Sequence, residues 1–186
     1  MSSLAQMLDG KQVIAAVRND EELIRAADSD VSLVFLLKCS ASDFEQKVDA
    51  VRRSGKFCII HSDLVDGIAN DPIGTEYLIR KANPDGIITT KKAVALRAMS
   101  LGCLTILRVF MLDSASYESS IHLIASLKPN GVEILPGLLP KIISRAKKEF
   151  DIPIISGGLI TTEQEVSRAI AAGASAVSTT EFKLWK

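Results

Sequence analysis

Two glycines stand between an apolar run and a pair of threonines. Ile154-Ile155-Ser156-Gly157-Gly158-Leu159-Ile160 leads into Thr161-Thr162. Without Cβ atoms, Gly157 and Gly158 let backbone N–H groups come close to a bound oxyanion. Ser178, Thr179 and Thr180 end a later apolar run and add hydroxyl donors. The combination reads as a cradle for phosphate or another oxyanion, against the plainer reading of the glycines as a tight turn. Arg108 ends the apolar run Leu104–Val109. A guanidinium there is costly to bury without an anion, and its planar fork suits bidentate oxyanion binding. A salt bridge to Glu133 on the neighbouring strand satisfies it equally, and the two roles are compatible.

Asp63 and Glu133 end apolar segments too, as an acid/base pair or as acceptors for ligand hydroxyls. His61 precedes Asp63 by two residues, so on a strand both side chains share one face. A histidine in that place is either a structural residue or a catalyst. Arg18 and Lys38 add positive charge, and Thr89 and Thr90 add hydroxyls. Lys38 as a Schiff-base nucleophile is the lesser reading of an exposed lysine. Asp63, Asp66 and Asp71 match no magnesium-loop spacing, so the sequence predicts no metal and no cofactor. The basic clusters Lys91-Lys92 and Arg145-Lys147-Lys148 fall in predicted helices and read as solvated faces.

These residues need elements to hold them. Apolar runs over Val13–Arg18, Val31–Lys38, Phe57–Asp63, Asp85–Thr90, Leu104–Phe110, Gly131–Pro136, Ile152–Gly158 and Ala174–Thr180 predict strands. Several are near-continuous in Ile, Val and Leu, the pattern of parallel strands covered on both faces. Helices are predicted between them. Asn19 or Asp20 caps Glu21–Ala27. Ser42 caps Asp43–Ser54, with Glu45 completing a capping box and Gly55 following. Lys91–Leu101 ends at Gly102, Thr162–Ala172 ends at Gly173, and Pro140 opens Lys141–Phe150. Leu64–Gly74 is the longest predicted loop.

Such alternation of strand and helix predicts an α/β fold, a compact (β/α)8 TIM-type barrel, with an open doubly wound sheet as its competitor. Only Glu181–Lys186 follow the last strand, so the final helix is expected to be short or missing. Function in such barrels gathers where the strands end. That places Arg18, Lys38, His61, Asp63, Thr90, Arg108, Glu133, Gly157, Gly158 and Ser178–Thr180 around one mouth.

Bulk properties agree. The 186 residues suit a single domain spanning 1–186, and the apolar share of 47% excludes wholesale disorder. The 22 basic residues balance 22 acidic ones, so no global field draws in nucleic acid or an anionic membrane. Aromatic residues make up only 5%, which disfavours rows of base-stacking platforms. No apolar run spans a bilayer and the start lacks the pattern of a signal peptide. Cys39, Cys58 and Cys103 lie in or beside apolar segments as reduced thiols, and the default location is cytoplasmic.

The rim segments also resemble a known family, the glycerol uptake operon antiterminators. The matching stretches are His61-Ser62-Asp63-Leu64-Val65-Asp66-Gly67 with Asn70-Asp71, Asp85–Thr90, and Arg108-Val109-Phe110-Met111-Leu112-Asp113-Ser114. Val132–Gly137, Ser156–Ile160 and Ser178-Thr179-Thr180 with Leu184-Trp185 follow in order. The resemblance runs from Val13 to Trp185 and departs at Lys91–Val94 and Asp71–Gly74. It implies a barrel that responds to glycerol-3-phosphate, binds leader mRNA and regulates transcription of glycerol genes rather than catalysing a reaction. It leaves a homo-oligomer open, while the balanced charge and the lack of a spanning run already predict no membrane partner. On the matching positions, Gly157, Gly158, Ser178, Thr179, Thr180 and Arg108 are assigned to phosphate, and Asp63 and Glu133 to the glycerol moiety. Arg18, Lys38, His61 and Thr90 are further rim contributors. The rival reading is a phosphometabolite isomerase or aldolase exchanging protons through Asp63 and Glu133.

Overall fold

A computed structural model describes residues 3–186. Eight parallel strands close into a barrel: β1 (Val13–Val17), β2 (Leu33–Leu36), β4 (Phe57–His61), β6 (Gly86–Thr89), β7 (Leu104–Phe110), β8 (Gly131–Leu135), β9 (Ile154–Gly157) and β10 (Ala176–Thr179). The ring closes as β1 pairs with both β2 and β10. This is the closed TIM-type barrel and not the open sheet. Two short strands, β3 (Cys39–Ser40) and β5 (Val65–Asp66), pair outside the ring and tie two loops together.

Strand parity sorts the core. One set of side chains, including Ile14, Phe35, Ile59, Ile88, Ile106, Ile155 and Ala176, fills the lumen as one cluster. The alternate set, including Val34, Ile60 and Ile87 or Leu107, Val132 and Val177, packs outward against the helices. Helices α2 (Asp20–Ala27), α3 (Phe44–Arg53), α4 (Pro72–Ala82), α5 (Lys92–Ser100), α6 (Ser114–Leu127), α7 (Pro140–Glu149) and α8 (Glu163–Ala171) cover the outside. The earlier α1 (Leu4–Leu8) instead plugs the lumen floor with Leu4, Met7 and Leu8. Each such buried side chain is worth about 1.5–3 kcal/mol against exposure.

Caps follow the local chemistry. Asn19 accepts from the Glu22 N–H at 2.9 Å, and Thr162 with Glu165 forms a capping box. Gly55, Gly102 and Gly173 all take positive φ just beyond helix ends. The Ser42 cap with Glu45 is not formed. Asp43 takes the cap position of α3, and its Oδ1 accepts from Ser40 N at 2.6 Å and Ser40 Oγ at 3.0 Å. The β3–β5 pairing sets that turn, which only the tertiary structure brings about.

The predicted loop 64–74 is mostly structured. Leu64 ends a 3-10 turn over Ser62–Leu64, β5 follows, and α4 begins at Pro72. Asp71 caps α4 by accepting from Ile73 N at 2.9 Å and Gly74 N at 2.8 Å. The Asp-Pro pair is thus a helix start, with proline where its missing N–H costs nothing. Gly74 is required because a Cβ would collide with the Ala69 carbonyl. After β10 only a 3-10 turn, Phe182–Leu184, replaces a final helix. Trp185 is buried behind it, and its indole N–H donates to Thr179 O at 2.9 Å.

Candidate functional site

The lumen changes character at its C-terminal end. Two residues above the Ile59, Ile106 and Ala176 positions, the same inward parity carries His61, Arg108 and Ser178. Arg108 lies in register with Glu133 on β8, and Gly157 on β9 is in register with Ser178 on β10. Closure of the ring therefore gathers five residues from five strands into one layer.

The polar atoms of Arg108, Glu133 and Ser178 form a network. Arg108 Nε donates to Glu133 Oε2 at 2.6 Å, with the side chains only 12% and 1% exposed. Ser178 Oγ donates to the other oxygen, Glu133 Oε1, at 2.5 Å. Glu133 thus has both oxygens engaged, while Arg108 uses its Nε for this pair, leaving its terminal N–H groups for another anion. Gly157 has a steric reason: a Cβ there would lie 2.6 Å from Glu133 Oε1 and 2.7 Å from Ser178 Oγ. Gly158 follows at φ +79° and Leu159 at φ +64°, the second an uncommon left-handed leucine that is 70% exposed. The Gly137 N–H donates to Gly158 O at 3.2 Å and Ser156 Oγ to Gly137 O at 3.0 Å, bracing this loop against its neighbour.

Asp63 belongs to a different arrangement. β4 ends at His61 and Asp63 sits in the 3-10 turn, so the two do not share a strand face as expected. Its Oδ1 accepts from Thr89 Oγ1 at 2.5 Å, and its Oδ2 accepts from Thr90 N at 2.7 Å and Thr90 Oγ1 at 2.6 Å. Burial pushes its pKa up, but these hydrogen bonds outweigh that and hold the carboxyl below its usual range. Thr90 is thereby placed as a partner of Asp63.

His61 is 3% exposed, and its Nδ1 is buried without a hydrogen-bond partner. An unmet buried polar atom costs about 1–3 kcal/mol. Burial and then the Arg108 charge push its pKa down to about 4, against the opposite pull of Asp63 and its own carbonyl. The imidazole is neutral at pH 7.

The remaining expected residues lie elsewhere. Thr179 Oγ1 donates to Ile160 O at 2.7 Å and accepts from Glu181 N at 3.0 Å, so its hydroxyl braces loops. Thr180 is half-buried just beyond it. Arg18 reaches Glu22 at 2.5 Å, and with Lys38, Lys47, Asp20 and Asp43 it lines a separate recess of about 260 Å³. The three thiols are buried and free, and burial raises the pKa of each. Among the described residues, no three His, Cys, Asp or Glu side chains are grouped to hold a metal, and no helix is long and apolar enough to cross a membrane. Sequence reasoning did not find the apolar sector of the rim: Phe110 at the end of β7, and Leu112, Leu138, Leu139 and Leu159 on the loops after β7, β8 and β9, are all exposed. Loop leucines carry no periodic signal that separates exposed from buried.

Fold and site define a TIM-type α/β barrel whose C-terminal mouth holds a buried cation–carboxylate–hydroxyl network beside a glycine loop. Within that class the chain belongs to the family described as glycerol-3-phosphate responsive antiterminator, whose sequence model matches residues 13–185. It is similar to a glycerol uptake operon antiterminator regulatory protein of Listeria monocytogenes str. 4b F2365, with 32% identity, a TM-score of 0.91, and 94% and 95% of the two chains covered. A glycerol uptake operon antiterminator-related protein of Thermotoga maritima MSB8 gives 31% identity and a TM-score of 0.84 over 94% and 98% of the chains. The Escherichia coli (strain K12) protein YgcP is 33% identical over 182 residues, 98% of this chain and 95% of that one.

Proposed function

We propose that this chain is a glycerol-3-phosphate sensor that binds leader mRNA in the cytoplasm and regulates transcription past a terminator of glycerol genes. The carrying observation is Arg108: a guanidinium in the barrel mouth of a family described by its response to this phosphate ester, with one N–H on Glu133 and its terminal N–H groups available. The phosphate sits between Arg108 and the N–H groups after β9 and β10, at Gly157, Gly158 and Thr180, with Ser178 beneath. Thr179 holds the loop around it. Asp63 and Glu133 border the glycerol end. Both carboxylates already accept protein hydrogen bonds, so they position the site rather than exchange protons, and this favours a binder over a catalyst. The ligand acts by linkage: it binds one conformation or assembly of the protein better and shifts the population toward the RNA-competent one.

Calorimetric titration tests the first half. Glycerol-3-phosphate binds, glycerol and inorganic phosphate bind far more weakly, and the ester is recovered unchanged. Equal affinity for all three, or turnover, overturns the sensor. Titration of leader RNA with and without the ester tests the second half. Ligand-dependent affinity falling steeply with salt is the expected result, and an RNA affinity that ignores the ester overturns it.

A further inference from the structure

Beside the terminal N–H groups of Arg108, the lumen mouth holds one fully buried polar atom without a partner. Both Glu133 oxygens have partners, Ser178 has donated its proton, and both Asp63 oxygens are held by Thr89 and Thr90. His61 Nδ1 alone among the buried side-chain nitrogens and oxygens of the described residues has no partner. The residue is 3% exposed and inward-facing on β4, the same parity as Ile59 in the lumen cluster. In the ring order, β4 stands four strands from β9, diametrically across the mouth from the glycine loop. A ligand whose phosphate rests on that loop and on Arg108 directs its other end toward β4.

We infer that His61 Nδ1 is the hydroxyl-reading atom of this site, meeting a hydroxyl on the carbon chain of a phosphorylated polyol. The inference rests on the phosphate-ester reading proposed above and adds to it the origin of selectivity for the polyol part. A neutral imidazole suits the task, since either tautomer makes one hydrogen bond at Nδ1 with a hydroxyl, which both donates and accepts. A buried polar atom also discriminates strongly, because an analogue lacking the hydroxyl leaves it unpaired in the complex. The free protein carries the unpaired atom, and the ligand resolves it.

The test is a double-mutant cycle with ligand and side chain as its two corners. Glycerol-3-phosphate and propyl phosphate, which keeps the ester and lacks the hydroxyls, are titrated into the wild-type chain and into His61→Phe, His61→Asn and His61→Gln. The phenyl ring fills the space without polar atoms, asparagine returns a polar atom near the Nδ1 position, and glutamine returns one near Nε2. Expected is a loss of about 10- to 100-fold in glycerol-3-phosphate affinity for His61→Phe, with propyl phosphate unchanged within about twofold. Asparagine restores most of the loss and glutamine little. Thermal stability of the free His61→Phe chain is unchanged or raised, which a structural histidine would not give. Equal effects on both esters, or none on either, overturn the inference while leaving the sensor intact. Failure of both esters to bind the wild-type chain overturns sensor and inference together. If His61→Phe does not fold, the asparagine–glutamine contrast decides alone: equal behaviour of the two overturns the assignment to Nδ1.

Discussion

At its N-terminal end the lumen is closed by Leu4, Met7 and Leu8 of α1, all buried on an apolar layer. At its C-terminal end the same strands carry Glu133, Ser178 and His61, equally enclosed but polar, and Arg108, 12% exposed. The first end gains stability directly, because every buried methylene leaves water. The second gains little, since an ion pair so deeply buried roughly offsets its own desolvation. What the second end provides is a fixed guanidinium orientation and one unmet hydrogen-bonding atom. The barrel thus keeps its apolar packing below and its buried polar groups above, within one continuous column of side chains.

Arg108→Ala is expected to separate the ends most sharply. Leaving Glu133 buried without its cation costs about 3–5 kcal/mol, read in denaturant unfolding, and removes phosphate-ester binding. The paired variant Arg108→Met with Glu133→Leu recovers most of that stability and none of the binding. If binding returns with stability, Arg108 holds the fold and not the ligand. At the floor, Met7→Ala costs about 2–5 kcal/mol through transfer and cavity terms. Its ester affinity, measured under conditions where it remains folded, stays at the wild-type value.

Acid probes the upper end selectively. His61 is held near 4 against an ordinary 6.5, so in that window the unfolded chain binds a proton that the folded chain refuses. Stability therefore falls as pH drops from about 6.5 to 4, by roughly 2–3 kcal/mol, and His61→Phe flattens the slope. Arg108 and Asp63 are the charged groups acting on it, and they oppose one another. Asp63 adds a second loss in the same direction but below the ordinary carboxylate range, where its depressed pKa is crossed. A pH-independent stability between 7 and 4.5 (denaturant midpoints suffice) refutes the buried neutral imidazole. Asp63→Asn at neutral pH has the smallest effect, about 1–2 kcal/mol, because one amide oxygen replaces two acceptors.

Much of this was legible in the chain. Near-continuous runs in Ile, Val and Leu, the glycines after helices at 55, 102 and 173, and Pro140 at a helix start are local signals, and the barrel uses them as local signals. The residue types of the mouth were legible for the same reason: a charge or hydroxyl ending an apolar strand stands out by contrast with its neighbours. Asp71-Pro72 carries a helix-start signal too, but beside Gly67 and Asn70 the same two residues fit turn chemistry equally well.

Sequence alone therefore determined the elements, their alternation, and which positions carry polar atoms at strand ends. Tertiary structure decided what those atoms do. Glu133 and Asp63 look alike in the sequence, yet ring closure gives one a guanidinium and a serine, and a 3-10 turn gives the other two threonines. Thr179 and Ser178 are adjacent, and strand parity turns one outward to brace a loop and the other inward to Glu133. The reason is range: propensity and periodicity act over a few residues, whereas each polar pairing in the mouth joins residues some 25 to 45 positions apart in the chain, and only the packing of the strands side by side in the ring brings them within hydrogen-bond distance.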